Sequence, residues 1–320
     1  MTAEETRLAL AGTAGARLNP AYAFVAPALS LIAVFFALPV AASFLLSLTD
    51  FDIYAVADPA DLRFVGLRNY AELLRDPLFW VALRNTSYFV LVAGPLSLAV
   101  SLVAALLVTA GVVRLKGLFR TLFFLPVVTS LVAVAVVWRY LYQPRFGLLN
   151  YALASVGFGP FDWLGDPRLA MPAIVLLAVW KNFGFNMVVF MAGLQGIPER
   201  LYEAASIDGA GPWTQFWRIT VPMLTPTLVF VAIMTLIGNF QLFAEPYVMT
   251  QGGPAHSTLS IVLYMYEEGF RWWNLGYAAA LAFVLFAIIL SVTALTRLRA
   301  SRGVDVPAGG PQPAARRGAA

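Results

Sequence analysis

The sequence contains no cysteine and only one histidine, His256. Disulfide and thiolate chemistry are therefore excluded, and a single histidine cannot form a zinc constellation. A Gly-x-x-x-x-Gly-Lys-Ser/Thr loop is also missing, since neither Lys116 nor Lys181 follows such a glycine-rich segment. The chain is thus not expected to bind ATP itself, and we assign it no catalytic residue, metal site or cofactor.

Charged residues are scarce as well: 12% of the 320 residues are charged and 60% are hydrophobic. Soluble domains carry about 25% charged residues, so this balance indicates a membrane protein. Five charge-free runs, and a sixth interrupted only by Lys181, cover 18–49, 85–113, 121–138, 169–198, 219–244 and 272–296. A spanning helix needs about 20 apolar residues. The pattern predicts an all-α integral membrane protein with six transmembrane helices, the shortest of them, 121–138, having Arg139 at its outer end.

The flanking segments predict the domain limits and the orientation. Residues 1–20 form a cytoplasmic N-terminal tail, 21–300 a six-span domain, and 301–320 a disordered cytoplasmic tail rich in Gly, Ala, Pro and Arg. Lys and Arg are concentrated on the side that holds both termini and residues 199–218, so we expect that side to be cytoplasmic. The pI of about 9.4 reflects this asymmetry. It does not indicate nucleic-acid binding, because no basic patch with interleaved aromatics accompanies it.

A polar segment, residues 199–218, separates the fourth and fifth predicted spans. Pro198 and Glu199 favour the start of a short helix, and the Gly209–Pro212 sequence predicts its end and the start of another. Trp213, Phe216 and Trp217 then share one helix face. One interpretation is an amphipathic connector with an aromatic belt. The other is a docking surface for a soluble partner.

The polar segment resembles the EAA loop of binding-protein-dependent ABC importer permeases. The resemblance is carried by Glu203-Ala204-Ala205, Gly209, Ile219 and Pro222, with Val221 in place of the usual Leu. Three further stretches resemble the carbohydrate-uptake subgroup, which includes maltose-type and glycerol-3-phosphate-type permeases: Phe64–Tyr70 with Asp76–Trp80, Trp180–Met187, and Thr250–Pro254. Together these stretches extend the resemblance over roughly residues 20–300.

The resemblance implies a permease subunit of an ATP-driven importer in the cytoplasmic (inner) membrane of a bacterium or archaeon. The loop would form a cytoplasmic coupling helix between spans 4 and 5, held by a cytoplasmic ABC ATPase dimer that binds the ATP. A second homologous permease subunit, an extracytoplasmic solute-binding protein and membrane lipid would be the other partners. The aromatic face after Gly209 would pack on the spans. The implied coupling residues are Glu203, Ala204, Ala205, Asp208 and Gly209.

The implied solute pathway lies in the fourth and fifth spans. In maltose-type permeases a sugar contacts positions matching Asn182, Phe185, Thr235 and Asn239, whereas Leu242 departs from that pattern. Amides and an aromatic ring suit a sugar or polyol, and glycerol-3-phosphate is the alternative solute. Asn and Thr also form hydrogen bonds between helices, so these residues have a purely structural interpretation too.

Lys181 is the one charge inside a predicted span, and a mid-span lysine costs about 3 kcal/mol. It could contact a solute or pair with a carbonyl or carboxylate. A self-sufficient secondary transporter is the competing function, and it would place Asp or Glu within spans and show internal repeats. The charge-free runs contain neither acid, and we assign Glu245 to the third outer segment, residues 245–274. A scaffold without transport would leave the polar segment unexplained.

Overall fold

The computed structural model describes residues 20–58, 62–110 and 115–303. Over these residues the fold is helical. Thr49 and Phe64 form one isolated antiparallel β-bridge. The helices are α1 (Pro20–Ile32), α2 (Leu38–Ser47), α3 (Ile53–Ala57), α4 (Arg68–Arg75), α5 (Pro77–Thr109), α6 (Lys116–Val128), α7 (Leu131–Leu141), α8 (Leu148–Ala154), α9 (Ala170–Gln195), α10 (Glu199–Ile207), α11 (Pro212–Gln215), α12 (Val221–Phe240), α13 (Ala244–Met249), α14 (Ile261–Tyr266) and α15 (Leu275–Gly303). π-Helical turns at Ala33–Ala37, Phe216–Thr220 and Glu267–Arg271 join α1 to α2, α11 to α12, and α14 to the residues before α15.

Five helical segments in the described part of the chain are long and apolar enough to cross a membrane. They are Phe24–Ser47, Pro77–Thr109, Ala170–Gln195, Pro212–Met249 and Leu275–Leu298. A bent pair, α6 with α7, provides the sixth crossing expected from the charge-free runs. The predicted all-α membrane fold is therefore confirmed. The tails predicted at 1–20 and 301–320 lie outside the described residues, except for Pro20 and the last turn of α15.

The third span differs from the single short helix predicted at 121–138. α6 and α7 meet at an angle of 98°. Pro126 lies near the end of α6, where its ring and missing N–H weaken the helix. Thr129 then takes an extended conformation, and both its backbone N–H and its hydroxyl donate to the carbonyl of Pro126. Arg139 consequently lies in the last turn of α7, beyond the break.

Helix α9 is the centre of the molecule, packed along α5 and α6 and in contact with α12. In its most apolar window 61% of the residues are buried, compared with none for Phe24–Ser47 at the periphery. Gly184 of α9 permits close contact with α6, because a Cβ there would overlap the carbonyl oxygen of Phe123. α12 packs against α5 and α15, and α15 covers α2. These contacts arrange α5, α9 and α12 around a common space.

Asp76 organises the end of the bundle that the sequence predicts to be extracytoplasmic. Its carboxylate caps α5 by accepting from the backbone N–H of Leu78 at 2.9 Å. It also accepts from the Tyr264 hydroxyl and, at 3.0 Å, from the Tyr277 hydroxyl. Burial raises the pKa of Tyr264, and the bond to Asp76 raises it further, so this phenol stays protonated. Asp76 thereby ties α5 to α14 and α15.

Candidate functional site: an exposed loop helix and a central cavity

Helix α10 stands away from the bundle, and none of its residues is buried. Ile207, at its end, keeps 87% of its surface exposed. The first short helix of the polar segment is thus available for contact along its length.

Three hydrogen bonds hold this exposed helix to the start of the next span. The Gln215 side-chain amide donates to the Ser206 hydroxyl at 2.9 Å and to the Ala210 carbonyl at 3.0 Å. The hydroxyls of Tyr202 and Thr220 share a further bond of 2.9 Å. Helix α11 continues through the π-helical turn into α12, so these bonds connect α10 to the fifth span.

The predicted coupling residues lie on this surface. Glu203, Ala204, Asp208 and Gly209 are exposed, and Ala205 is half-buried. Gly209 has φ +78°, a left-handed conformation that glycine adopts without strain. A Cβ at Gly209 would meet no atom within 4 Å. Within this chain, glycine is therefore favoured at this position by the backbone conformation and not by a lack of space.

The aromatic residues after Gly209 do not pack on the spans as expected. Trp213 is 74% exposed and Trp217 53% exposed. The rings contact each other instead, with Phe216 and Trp217 5.1 Å apart at their centroids and Trp213 5.8 Å from Trp217. The cause is that α11 runs on into the spanning helix, which keeps its first turn clear of the neighbouring helices.

A cavity of about 560 Å³ lies between α5, α9 and α12. The break between α6 and α7 contributes Val127 and Leu131 to its wall, and the junction between α12 and α13 contributes a further stretch. The lining residues are Phe89, Ala93, Ser97, Val127, Leu131, Ala178, Val179, Asn182, Phe185, Asn186, Met234, Thr235, Gly238, Asn239, Gln241, Leu242, Phe243, Ala244 and Glu245. The wall is mainly apolar with a few amides, which is the usual composition of a small-molecule site.

All four predicted pathway residues line this cavity, but their side chains have different surroundings. Asn182 is exposed to it, and Phe185 keeps 47% of its surface free. Thr235 accepts a hydrogen bond from Asn186 at 3.1 Å, as the structural interpretation anticipated. The amide nitrogen of Asn239 is buried and has no hydrogen-bond partner among the described residues. Asn239 therefore borders the cavity as a residue, but its amide nitrogen has almost no surface exposed to it.

Sequence reasoning missed Asn186, although it lies four residues after Asn182 on the same helix. The Asn186 amide contacts Thr235 and, at 3.4 Å, the Ser97 hydroxyl, so it joins α9 to both α12 and α5. The i, i+4 spacing of the two asparagines was the available signal.

Lys181 is explained by the break in the third span. Its ammonium donates to the carbonyl of Val127 at 3.0 Å. That carbonyl is in the last turn of α6, where helical carbonyls lack partners and the helix dipole favours a cation. Lys181 does not line the cavity. Of its two predicted roles, the structure supports pairing with a carbonyl.

The sequence analysis assigned Glu245 to an outer segment because it follows a charge-free run. The structure shows a different position for this residue. It lies in the first turn of α13, is 8% exposed and lines the central cavity. It is also close enough to Lys181 for the two charges to attract each other. The chain turns at Gln241 and re-enters the bundle as α13, which packs against α7. The absence of Asp and Glu from the predicted spans was the argument against an ion-coupled secondary transporter. The buried Glu245 weakens that argument, so the choice between the two functions depends on the family to which the chain belongs.

Comparison with known proteins identifies the family. Residues 97–302 match the family described as binding-protein-dependent transport system inner membrane component. The lactose transport permease LacF of Rhizobium radiobacter is 39% identical over 281 residues, which cover 86% of this chain and 91% of LacF. The arabinooligosaccharide transport permease AraP of Bacillus subtilis (strain 168) is 34% identical over 277 residues, covering 86% of each chain.

A solved structure shares the fold. A bacterial ABC transporter involved in the import of the acidic polysaccharide alginate superposes with a TM-score of 0.73 over 88% of this chain and 94% of that one, at 22% identity. Because the family match and the two permeases extend over most of the sequence, they decide between the competing functions. The chain belongs to the binding-protein-dependent transport system inner-membrane components, and is a multi-pass permease subunit of the ABC importer type.

Proposed function

We propose that this permease carries a sugar or related polyol across the cytoplasmic membrane and is driven by a separate ATPase. The relatives LacF and AraP are described as permeases for lactose and for arabinooligosaccharides, which supports a carbohydrate. The amides and the Phe185 ring at the central cavity suit a hydroxylated solute, because amides both donate to and accept from hydroxyls. Asn182, Phe185, Thr235 and Asn239 are its proposed contacts.

A sugar fits the cavity better than the alternative, glycerol-3-phosphate. A phosphate ester is usually bound by Arg, Lys or a group of backbone N–H donors. The described residues that line the cavity include no Lys or Arg, and the Lys181 ammonium is engaged by the Val127 carbonyl. The exposed Asn182 amide is a neutral donor, which suits a hydroxyl.

The exposed helix α10 carries the proposal of an ATPase partner. Its free surface, its exposed Ile207 and its hydrogen bonds to the start of the fifth span are the features that a mechanical coupling element needs. We propose that Glu203, Ala204, Ala205, Asp208 and Gly209 form the contact with a cytoplasmic ABC ATPase dimer, which binds the ATP. Residues 199–218 would then face the cytoplasm, as the Lys and Arg distribution predicts.

Two further partners belong to this proposal. A second homologous permease would complete the pore around the central cavity. An extracytoplasmic binding protein would deliver the solute to the end of the bundle organised by Asp76.

Affinity purification of the tagged chain from native membranes, with mass spectrometry of what is retained, tests this function. We expect a Walker-motif ATPase and a second six-span permease at stoichiometric amounts. Purification of the Gly209→Asp variant in parallel should retain the second permease and lose the ATPase. If the wild-type chain is recovered alone and still transports, the importer assignment is wrong.

A further inference from the structure

We propose that Glu245 sets the charge selectivity of the central cavity, so that the pathway admits neutral or cationic hydroxylated solutes and disfavours anionic ones. This inference rests on the proposed function. It adds a specificity-determining residue that lies outside the four contacts predicted from sequence.

The position of Glu245 carries the argument. It is buried in the protein yet borders the same cavity as Asn182 and Phe185 of α9. Among the described residues that line the cavity, it is the one ionisable group. A carboxylate within a membrane domain is costly and is retained mainly where it has a function.

The positive charge of Lys181 does not cancel the negative charge of Glu245 for a solute inside the cavity. Lys181 attracts Glu245 from a distance, but the two residues form no ion pair. The ammonium lies outside the cavity lining and donates to the Val127 carbonyl. A solute in the cavity would therefore meet the carboxylate directly and the ammonium only through the protein.

The chemistry of the wall then favours neutral polyols. Carboxylate oxygens accept hydrogen bonds from hydroxyls, and the amide of Asn182, which is exposed at the cavity, can donate one. A sugar phosphate or uronate would bring a second negative charge into a space of low dielectric, where repulsion is strong. The alginate importer moves an acidic polysaccharide with the same fold, so the fold alone does not determine this choice.

Thiol labelling measures the sign of the cavity potential directly, because the chain contains no native cysteine. Met234→Cys places one thiol at the cavity wall, at a residue that is 49% exposed. The protein is purified with its partners in detergent. It is labelled with cationic trimethylammonium-ethyl methanethiosulfonate or with anionic sulfonatoethyl methanethiosulfonate, and both rates are divided by those of a free thiol.

With Glu245 present, we expect the cationic reagent to react at least about fivefold faster than the anionic one, relative to the free thiol. The ratio should fall to one or below in Glu245→Gln, where Lys181 is uncompensated, and should persist in Glu245→Asp. Phe158→Cys, on an exposed residue away from the cavity, is the matched control whose ratio Glu245→Gln should leave unchanged.

A ratio near one in the Met234→Cys protein with Glu245 intact overturns the proposal, and so does a ratio that Glu245→Gln does not alter. The first of these outcomes does not depend on whether the Gln variant folds. The labelling needs neither a solute nor ATP hydrolysis, so its result stands apart from whether the proposed importer function is correct.

Discussion

Gly209 lies in the turn between the exposed helix α10 and the short helix α11. Its backbone is left-handed, and the space around the missing Cβ is open. A substitution therefore acts through conformation, because a residue with a Cβ is strained there by about 1 kcal/mol or more. The sequence pattern identifies Gly209 as a coupling residue. Only the structure shows that a substitution there would strain the backbone and would not create a steric overlap within the chain.

Comparison of Gly209→Ala with Gly211→Ala tests that cause. Both add one methyl group to open space, but Gly211 has φ −70°, which alanine adopts freely. We expect Gly209→Ala to lower solute uptake about fivefold, the factor that corresponds to ~1 kcal/mol, and Gly211→Ala to leave it nearly unchanged. Vesicle uptake normalised to inserted protein is the measurement. Equal effects of the two variants would contradict the conformational argument.

Lys181 and Glu245 form the second residue-scale prediction. Lys181→Met removes the donor to the Val127 carbonyl and a positive charge that attracts Glu245 without forming an ion pair with it, at an expected cost of about 2 kcal/mol. Adding Glu245→Gln should recover about 1 kcal/mol, because the uncompensated carboxylate is then gone. Thermal unfolding of the purified complex measures both effects. Strict additivity of the two substitutions would show that the charges do not interact.

At the scale of elements, residues 199–240 act as one connected unit. Helix α10 is tied by Gln215 to the first turn of a helix that continues without interruption into the fifth span. Movement of the exposed helix is therefore expected to rotate or shift the span that carries Thr235 and Asn239. This continuity links the proposed ATPase contact to the cavity.

Gln215→Ala should separate ATP hydrolysis from transport. It removes two of the three hydrogen bonds that hold α10, each contributing about 1 kcal/mol, and it leaves the Tyr202–Thr220 bond and the surface of α10 unchanged. We expect hydrolysis by the assembled complex to stay within about twofold and solute uptake to fall about tenfold. Thr214→Ala, on the exposed neighbouring residue, serves as the control. If uptake and hydrolysis fall in proportion, the connection is not where force is transmitted.

The elements also show what the sequence could and could not predict. Charge-free runs of the right length identified the spans, because the membrane imposes length and apolarity on each helix separately. The 98° break after Pro126 was not predictable from one proline, and the Lys181 ammonium that donates to the Val127 carbonyl beside it comes from another helix. Glu245 was misplaced for the same reason: its burial depends on α13 folding back against α7, which a local pattern does not encode.

At the scale of the whole molecule, the central cavity and the exposed helix α10 are surfaces at which this permease subunit can contact other molecules. Asn182, Asn239 and Glu203 were accessible to sequence reasoning through the resemblance to maltose-type permeases and to the EAA loop. The cavity itself was not, since it arises from how α5, α9 and α12 meet. We propose that an ATPase binds this permease at the exposed helix α10.

Site-directed crosslinking tests that claim most directly. In this cysteine-free chain, Ile207→Cys places a thiol at the tip of α10, and Phe158→Cys places one on an exposed residue of an outer segment. Native membranes are treated with a short thiol-to-amine crosslinker, and the adducts are identified by mass spectrometry. The account predicts an adduct with a Walker-motif ATPase in the Ile207→Cys protein and none in the Phe158→Cys protein. An ATPase adduct in the Phe158→Cys protein, or its absence from Ile207→Cys membranes that transport normally, would contradict it.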